Sequence, residues 1–340
     1  MGILLSVLIT SHNQGVLLER CVNSVLSQNL PFEYEIVISD DWSTDGTWEI
    51  AKSLEKKHTV VKAIQCNTDE FNPVNRCQRC GWNQCNAYRN STGKYFAHID
   101  ADDFFCEGTE VLRKQVELLE SHPECSCCMA NNYRMDEGEE TTNALLDNPH
   151  SYDNGYILPS EDYIANYWKV DHAFVYRRCA HEDPTLLFGG YYDDTLITDY
   201  HVQFGDIVCL NDAGYVYVQR KQSIWNEVVA KGDHLVLGCS ALYVPSLISH
   251  WRKTIDRSIR HRGQVLSVVV WIMSNNRMEK GNWSYLNDIR IKPKLVGLLN
   301  KQLSWLDKVY LNALKWNIKI LKHVSFEPLH WTYSYLMRPI

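Results

Sequence analysis

The chain has 340 residues, of which 45% are hydrophobic and 22% are charged, a composition typical of a folded protein with a large core. Its formal net charge of −7 argues against a general nucleic-acid-binding protein. The charge is uneven, because residues 241–340 carry 16 Lys and Arg against 5 Asp and Glu, whereas residues 1–240 have a net charge of −18.

Strands and helices alternate over the first 105 residues. The predicted elements, in chain order, are a strand over 4–10, a helix between Asn13 and Pro31, a strand over 35–39, a helix over 48–56, and strands over 60–65 and 95–99. This order predicts a mostly parallel α/β sheet with helices on its faces. Ligands of such sheets bind at the carboxyl ends of the strands.

Polar side chains follow three of these strands, in the segments 10–13, 40–41 and 100–103. We expect them to meet in one crevice, because the carboxyl ends of parallel strands lie at the same edge of the sheet. Asp100 and Asp102 are two residues apart, so an extended chain would place both carboxylates on one side, where they could hold Mg²⁺ or Mn²⁺. The alternative is that these acids cap the following helix and contact solvent.

Two common phosphate-binding motifs are missing from the sequence. No Gly-x-x-x-x-Gly-Lys-Ser/Thr segment occurs, and the segment 10–15 after the first strand contains a single glycine. A P-loop and a Gly-x-Gly-x-x-Gly dinucleotide site are therefore excluded. A diphosphate in this crevice would need a metal, which the aspartates could hold.

The remaining sequence predicts a helix over 109–121, a strand near 127–133, a helix end, a glycine and another strand within 203–210, and mainly helices beyond residue 240. The longest later apolar run, 265–273, is about half of the ~20 residues that cross a bilayer, so no membrane span is expected. The chain begins with a strand-like segment and without a secretory signal, which predicts a cytoplasmic protein.

Four lysines beyond residue 300 share one face of a predicted helix that also carries Trp and Leu side chains. They are Lys308, Lys315, Lys319 and Lys322. This pattern is typical of an amphipathic helix lying on the inner face of the cell membrane. It is equally typical of a helix packed on the rest of the chain with a solvated lysine face.

Twelve cysteines occur, and without an export signal we interpret them as reduced thiols. Cys77, Cys80 and Cys85 raise the alternative of a zinc site. No second Cys or His pair stands at the spacing of a zinc finger, so scattered buried thiols are the favoured interpretation.

Three blocks of the sequence together resemble family 2 glycosyltransferases of the GT-A fold, of the bacterial surface-polysaccharide type. The blocks are Val-Leu-Ile-Thr-Ser-His-Asn over 7–13, the segment 35–47 with Ser-Asp-Asp-Trp-Ser-Thr-Asp-Gly-Thr, and Gly-Lys-Tyr-Phe-Ala-His-Ile-Asp-Ala-Asp-Asp-Phe over 93–104. The resemblance covers residues 1–105 closely and continues more loosely to about residue 225.

The resemblance implies a metal-dependent, inverting enzyme that moves a sugar from a nucleotide-sugar, most commonly a UDP-sugar, to a hydroxyl of a saccharide or lipid-linked saccharide. Asp102 corresponds to the direct ligand of Mn²⁺ or Mg²⁺, and Asp100 lies near the ribose and the metal. Asp41 would accept the N–H of the base, and position 12 is usually aromatic. The implied ligands of the donor nucleotide are Thr10, His12, Asn13, Asp41 and Asp100.

The resemblance also implies a catalytic base, which deprotonates the acceptor hydroxyl. Asp194 takes that position, with Asp193 beside it, and Asp199 is interpreted as a surface or structural acid. Arg220 or Lys221 would neutralise the leaving diphosphate, or would simply be solvated.

Several assignments stay open. Asp40 is either a base ligand or a structural acid, and Asp103 is interpreted as the cap of the following helix. Four residues are candidate phosphate or base ligands, with no choice among them: Arg76, Arg79, Asn83 and Asn86.

The expected organisation is one GT-A domain followed by an extension. Residues 1–105 would bind the nucleotide-sugar, residues 106–235 would bind the acceptor and carry the base, and residues 236–340 would form a basic helical region contacting a membrane or a partner. Two alternatives are a sugar nucleotidyltransferase, which usually has a glycine-rich basic loop after its first strand, and a catalytically inactive sugar-binding protein. No nucleic-acid partner is expected.

Overall fold

The computed structural model describes residues 2–67, 76–139, 143–147, 149–160, 162–163, 174–178, 197–198, 201–202 and 204–223. The chain divides into two compact units, residues 1–223 and 224–340, and the described residues belong to the first. The predictions for Asp194, for the lysine face and for the basic C-terminal region lie outside the described residues. So does the side chain of Cys77.

The described part contains four helices and ten strands. The helices are α1 (Val16–Leu26), α2 (Thr47–Lys57), α3 (Arg76–Arg89) and α4 (Val111–Ser121). The strands are β1 (Leu5–Ser11), β2 (Tyr34–Asp40), β3 (Val61–Gln65), β4 (Tyr95–Asp100), β5 (Phe104–Phe105), β6 (Cys125–Asp136), β7 (Leu145–Asp147), β8 (Ile157–Leu158), β9 (Phe174–Arg177) and β10 (Asp206–Gln219).

All ten strands form one mixed sheet, in the order β3-β2-β1-β4-β9-β6-β10-β5, with β7 beside β6 and β8 beside β10. β1 pairs in parallel with β2 and with β4, β2 pairs in parallel with β3, and β6 pairs in parallel with β10. These four ladders are the longest in the sheet, and the shorter ladders are antiparallel. The predicted α/β fold is therefore confirmed, and the carboxyl ends of β1, β2, β3 and β4 lie at one edge.

The centre of the sheet is buried on both faces. Every residue of β1 is buried, which is why apolar residues occupy consecutive positions from Val7 to Ile9 and do not alternate with polar ones. Val7 and Ile9 pack in the same core cluster as Leu18 and Val22 of α1. Each of these fully buried aliphatic side chains contributes about 1.5–3 kcal/mol to stability, and together they fix β1 beneath the predicted crevice.

Helix α3 was not among the predicted elements. Its buried positions include Asn83, Gln84 and Asn86 as well as apolar residues, so the hydrophobic periodicity that reveals an amphipathic helix is weak here. The amides take the place of apolar side chains because this helix faces the polar carboxyl ends of the strands.

Two late strands are longer than predicted. β6 and β10 pair side by side from Cys125 to Asp136, with register shifts near Leu210 and Ala213. Because the two strands pair with each other, both extend over polar residues whose propensity does not by itself predict a strand. Within the described residues, no helix combines the length and the apolar character needed to cross a membrane.

The nine cysteines whose side chains are described form no disulfide with one another, and seven of them are buried. Cys85 is buried within α3 and Cys80 is partly buried. Among the described residues, the one cluster of three or more potential metal-binding side chains consists of aspartates and contains no cysteine. The burial of seven of these nine cysteines agrees with the interpretation as scattered buried thiols.

Candidate active site

The crevice forms where β1, β2 and β4 end side by side. In the sheet register, Thr10 is paired with Ser39 on one side and with Asp100 on the other. The Thr10 hydroxyl donates a hydrogen bond of 2.7 Å to Oδ1 of Asp100. The structure therefore brings Thr10 and Asp100 together, as expected from the topology.

Asp41 lies just beyond the end of β2 and is paired with Arg79 of α3. Nε and Nη2 of Arg79 each donate to one carboxylate oxygen of Asp41, both at 2.9 Å. Asp41 is 6% exposed, so this bidentate pair is largely shielded on the aspartate side. The hydrogen bond to Asp41 raises the pKa of Arg79. Of the three candidates whose side chains the structure describes, Arg79, Asn83 and Asn86, Arg79 is the one that bonds to Asp41.

His12 contacts the same aspartate through the backbone. Its Nδ1 donates to the carbonyl oxygen of Asp41 at 2.7 Å and lies 3.9 Å from the carboxylate oxygen Oδ2. Since a carbonyl oxygen only accepts, this bond makes Nδ1 the donor, and Nε2 then accepts from the Asn13 amide at 3.2 Å. The His12 side chain is 40% exposed, so part of the ring remains accessible.

Asn13 and Asp40 hold the loops of the crevice in shape. Asn13 has a φ of 54°, its backbone N–H donates to the Ser43 hydroxyl, and its Oδ1 accepts the N–H of Thr44. Asp40 is fully buried and accepts hydrogen bonds from the hydroxyls of Ser11 and Ser43 and from the Ser43 N–H. These contacts support the structural alternative for Asp40.

The three aspartates after β4 lie close together and differ in their surroundings. Asp100, Asp102 and Asp103 each place one carboxylate oxygen within 4.8 Å of the others. Asp100 and Asp102 are partly exposed, whereas Asp103 is 2% exposed. Burial, reinforced by the charges of Asp102 and Asp100, raises the pKa of Asp103 well above its usual value.

The expectation that Asp103 caps the following helix is wrong. Helix α4 begins only at Val111, and the Asp103 carboxylate faces β10 instead. It accepts the Tyr215 hydroxyl and, at 2.8 Å, the N–H of Val218. Asp103 therefore ties the loop after β4 to the last strand and is removed from the open side of the cluster.

Two arginines lie beside the aspartate cluster. Nη1 of Arg220 is 3.3 Å from Oδ2 of Asp102 and 2.7 Å from Oε1 of Gln14, and Nε contacts Glu137 at 3.1 Å. Arg20 of α1 donates to the backbone carbonyl of Asp102, and burial lowers its pKa. Arg20 and Gln14 were missed from the sequence, because a polar residue in a helix or loop gives no sign of which strand end it will face.

Of the two basic candidates after β10, Arg220 is the one beside Asp102. The backbone N–H of Lys221 contacts Glu137 at 3.4 Å, a marginal hydrogen bond. The end of β10 therefore contributes a guanidinium to the crevice formed by the first four strands.

The cluster fits a divalent cation by its donor chemistry. Mg²⁺ and Mn²⁺ prefer carboxylate oxygens, and three such groups converge here. Asp103 is 2% exposed and its carboxylate faces β10, which leaves the partly exposed Asp100 and Asp102 as the suited ligands. The site already attracts a cation in the form of the Arg220 guanidinium.

Comparison with known proteins agrees with this arrangement. The profile of glycosyl transferase family 2 matches residues 6–183, slightly more than half of the chain. The chain belongs to glycosyl transferase family 2. The matched segment includes Thr10, Asp41 and the Asp100–Asp103 cluster, so the crevice lies within the family region.

Curated relatives of this family 2 member come from bacterial polysaccharide pathways. A poly(ribitol-phosphate) beta-glucosyltransferase of Bacillus spizizenii is 30% identical over 109 residues, 32% of this chain and 16% of that protein. A GalNAc(5)-diNAcBac-PP-undecaprenol beta-1,3-glucosyltransferase of Campylobacter jejuni is 30% identical over 104 residues, 31% of each. The chain thus spans between a sixth and a third of the length of these relatives.

A solved structure is similar to this chain in fold. Residues 1–349 of S. aureus TarS in complex with UDP-GlcNAc have a TM-score of 0.55 to this family 2 member, with 17% identity, covering 98% of this chain and 88% of TarS 1–349. This likeness supports the predicted GT-A architecture.

Proposed function

We propose that the chain is an inverting glycosyltransferase that moves a sugar from a nucleoside-diphosphate sugar to a saccharide hydroxyl. The observation that carries the proposal is the convergence of Asp100 and Asp102 with the Asp41–Arg79 pair at one edge of the sheet. One part offers cation ligands for a diphosphate, and the other offers hydrogen-bonding groups for a base.

The base would bind beside Asp41 and His12. Each carboxylate oxygen of Asp41 keeps a further lone pair after bonding to Arg79, and one of these can accept the N–H of a uracil-like base. Arg79 holds the carboxylate in a fixed orientation, and His12 offers a ring face. A UDP-sugar is our proposed donor, since TarS 1–349 has been solved with UDP-GlcNAc.

The diphosphate would bind over the aspartate cluster. Asp102 and Asp100 would hold Mn²⁺ or Mg²⁺, which would supply Lewis-acid stabilisation of the departing diphosphate. Arg220 adds a positive charge at the same place, because its guanidinium already contacts Asp102. Arg20 donates to the backbone carbonyl of Asp102 and so orients that backbone.

The acceptor would be activated by Asp194, which lies outside the described residues and is assigned from the family resemblance. A carboxylate there would take the proton of the attacking hydroxyl while the sugar carbon inverts in a single displacement. Residues 1–105 would bind the donor and residues 106–235 the acceptor.

The acceptor class would be a saccharide or a lipid-linked saccharide at the inner face of the cell membrane. The Campylobacter jejuni relative is named for a PP-undecaprenol-linked saccharide, and residues 236–340 of this chain would supply a basic peripheral contact. Flotation of the full chain with anionic vesicles tests this placement. Equal, negligible recovery with anionic and neutral vesicles would contradict it.

A donor assay tests the transfer reaction. The full chain is incubated with UDP-, GDP- and TDP-sugars in Mn²⁺, in Mg²⁺ and in EDTA, and nucleoside diphosphate release is measured. We expect release from one donor class, loss in EDTA, and a fall in kcat of about 100-fold for Asp102→Asn. The matched control is Asp212→Asn, an aspartate 38% exposed and paired with Lys114.

Three outcomes count against this proposal. Full activity in EDTA would remove the metal role of Asp100 and Asp102. Formation of a nucleoside triphosphate and a sugar 1-phosphate when pyrophosphate is added to the nucleotide-sugar would indicate a nucleotidyltransferase, and binding without turnover would indicate an inactive sugar-binding protein. For the base, Asp194→Asn should abolish transfer while UDP binds as in the wild type, and unimpaired transfer would assign the base to another residue.

A further inference from the structure

Trp42 is an exposed aromatic residue in an unfavourable backbone conformation. It follows Asp41 directly and has a φ of 53°, in the left-handed region that bulky residues rarely adopt. It is also 52% exposed, so burial of the indole does not compensate for this conformation. Backbone strain of this kind persists where the surroundings enforce it, and it clusters at ligand-binding sites.

The indole is held in place by the end of β3. Its Nε1–H donates to the carbonyl oxygen of Cys66 at 2.9 Å, and the N–H of Cys66 donates to the carbonyl oxygen of Asp40 at 2.8 Å. The peptide bond before Trp42 is fixed as well, because its carbonyl oxygen accepts the 2.7 Å bond from His12. The ring is therefore anchored by its edge.

The anchored ring adjoins the proposed base site. Asp41 is its neighbour in the chain, and Arg79 bonds both carboxylate oxygens of Asp41. Cys66, which accepts the indole N–H, lies near enough to Asp41 that the aspartate's charge adds to burial in raising the pKa of the Cys66 thiol to about 12. The exposed indole, the Asp41–Arg79 pair and the end of β3 thus form one small region of the crevice rim.

We propose that Trp42 is a further nucleotide-binding residue whose indole stacks on the base of the donor, and this inference rests on the proposed function. Every base offers a π-face, so stacking on Trp42 would contribute affinity without selecting a base. Selection would come from the hydrogen-bonding edge of Asp41 and Arg79. Trp42 and Asp41 would therefore divide affinity and specificity between two adjacent residues.

Equilibrium binding to the full chain tests the stacking role. Titrations with UDP, GDP and pyrophosphate in Mn²⁺ compare the wild type with Trp42→Ala and Trp42→Phe. We expect Trp42→Ala to weaken UDP and GDP binding by the same factor, about tenfold, and to leave pyrophosphate binding unchanged. Trp42→Phe keeps a ring and should recover most of the affinity. Tyr156→Ala, which removes a 44% exposed aromatic before β8, serves as the control.

A glycine variant separates binding from a structural role. Glycine adopts a φ of 53° without strain, so Trp42→Gly should leave the melting temperature unchanged or raise it while UDP binding falls as for Trp42→Ala. A lowered melting temperature with wild-type UDP affinity would overturn the inference and make Trp42 a structural residue. If the wild type binds UDP and Trp42→Ala binds UDP equally well, the stacking inference is overturned and the proposed function is not. A wild type that binds no nucleoside diphosphate would overturn the proposed function with it.

Discussion

At the scale of single residues, the adjacent acids Asp40 and Asp41 bond to different partners. Asp40 bonds to the hydroxyls of Ser11 and Ser43, and Asp41 bonds to Arg79. Adjacent acids with the same side chain therefore have separate tasks, one holding a turn and the other presenting a fixed carboxylate. The chemical type of a residue predicts what it can bind, and its neighbours decide what it does bind.

Arg79→Lys should weaken nucleotide binding without removing the positive charge. Lysine cannot donate two parallel hydrogen bonds to one carboxylate, so the orientation of Asp41 would no longer be fixed. We expect UDP affinity to fall about tenfold in calorimetric titrations, with pyrophosphate binding unaffected. Arg89→Lys at the end of α3 is the matched control. Equal losses in both variants would show that the effect is not specific to the pair.

At the scale of elements, α3 links the ends of three strands. The Asn83 side chain donates to the carbonyl of Ser39 at 2.9 Å and to that of Ser11 at 3.3 Å, and it accepts the Ser39 hydroxyl. Asn86 donates to the Ser39 hydroxyl and to the carbonyl of Gln65. This buried network positions the helix that carries Arg79.

Asn83→Ala should destabilise the protein by about 2 kcal/mol, because two carbonyls and a hydroxyl near the buried network lose a partner. Urea unfolding of the full chain measures this change. The control is Asn23→Ala on the exposed face of α1, which should change the unfolding free energy by no more than about 0.5 kcal/mol. Equal stabilities of the two variants would show that α3 is held by its apolar contacts alone.

At the scale of the whole molecule, His98 and His201 are the two described histidines whose pKa is lowered most, so that their charged forms are strongly disfavoured. Burial lowers the pKa of His98 to about 3 and that of His201 to about 4, and the neighbouring charge of Arg178 acts in the same direction. Both rings lie against Phe96. These histidines are neutral in the folded state at pH values where an unfolded chain would protonate them.

The unfolding free energy should therefore fall as the pH drops below about 6.5, the value at which histidines of the unfolded chain take up protons. The loss continues until the folded-state values near 3 and 4 are passed. Between pH 7 and pH 5.5 it should amount to about 1 kcal/mol for each histidine, measured by urea unfolding. In His201→Gln the decrease should be smaller, and an unchanged slope would show that protonation of His201 does not cause it.

The sequence by itself determined the α/β fold, the order of the first four strands along the chain, and the convergence of the polar loops that follow the first, second and fourth of them. The strands are apolar runs that end in polar residues, and the segments between them have helical periodicity, so each feature is defined locally. It also indicated the Asp100–Asp102 pair, since acids directly after a buried strand are rare without a ligand or partner.

The tertiary structure alone decided which groups meet those acids. Asp103 faces β10, Arg79 is the one of three candidates with described side chains that bonds to Asp41, and Arg220 contacts Asp102 although more than a hundred residues of sequence separate them. Such pairings depend on the register of distant strands and on how a helix is placed against them. Local sequence patterns indicate the periodicity of one segment. They contain no information on which residue of another segment a side chain will contact.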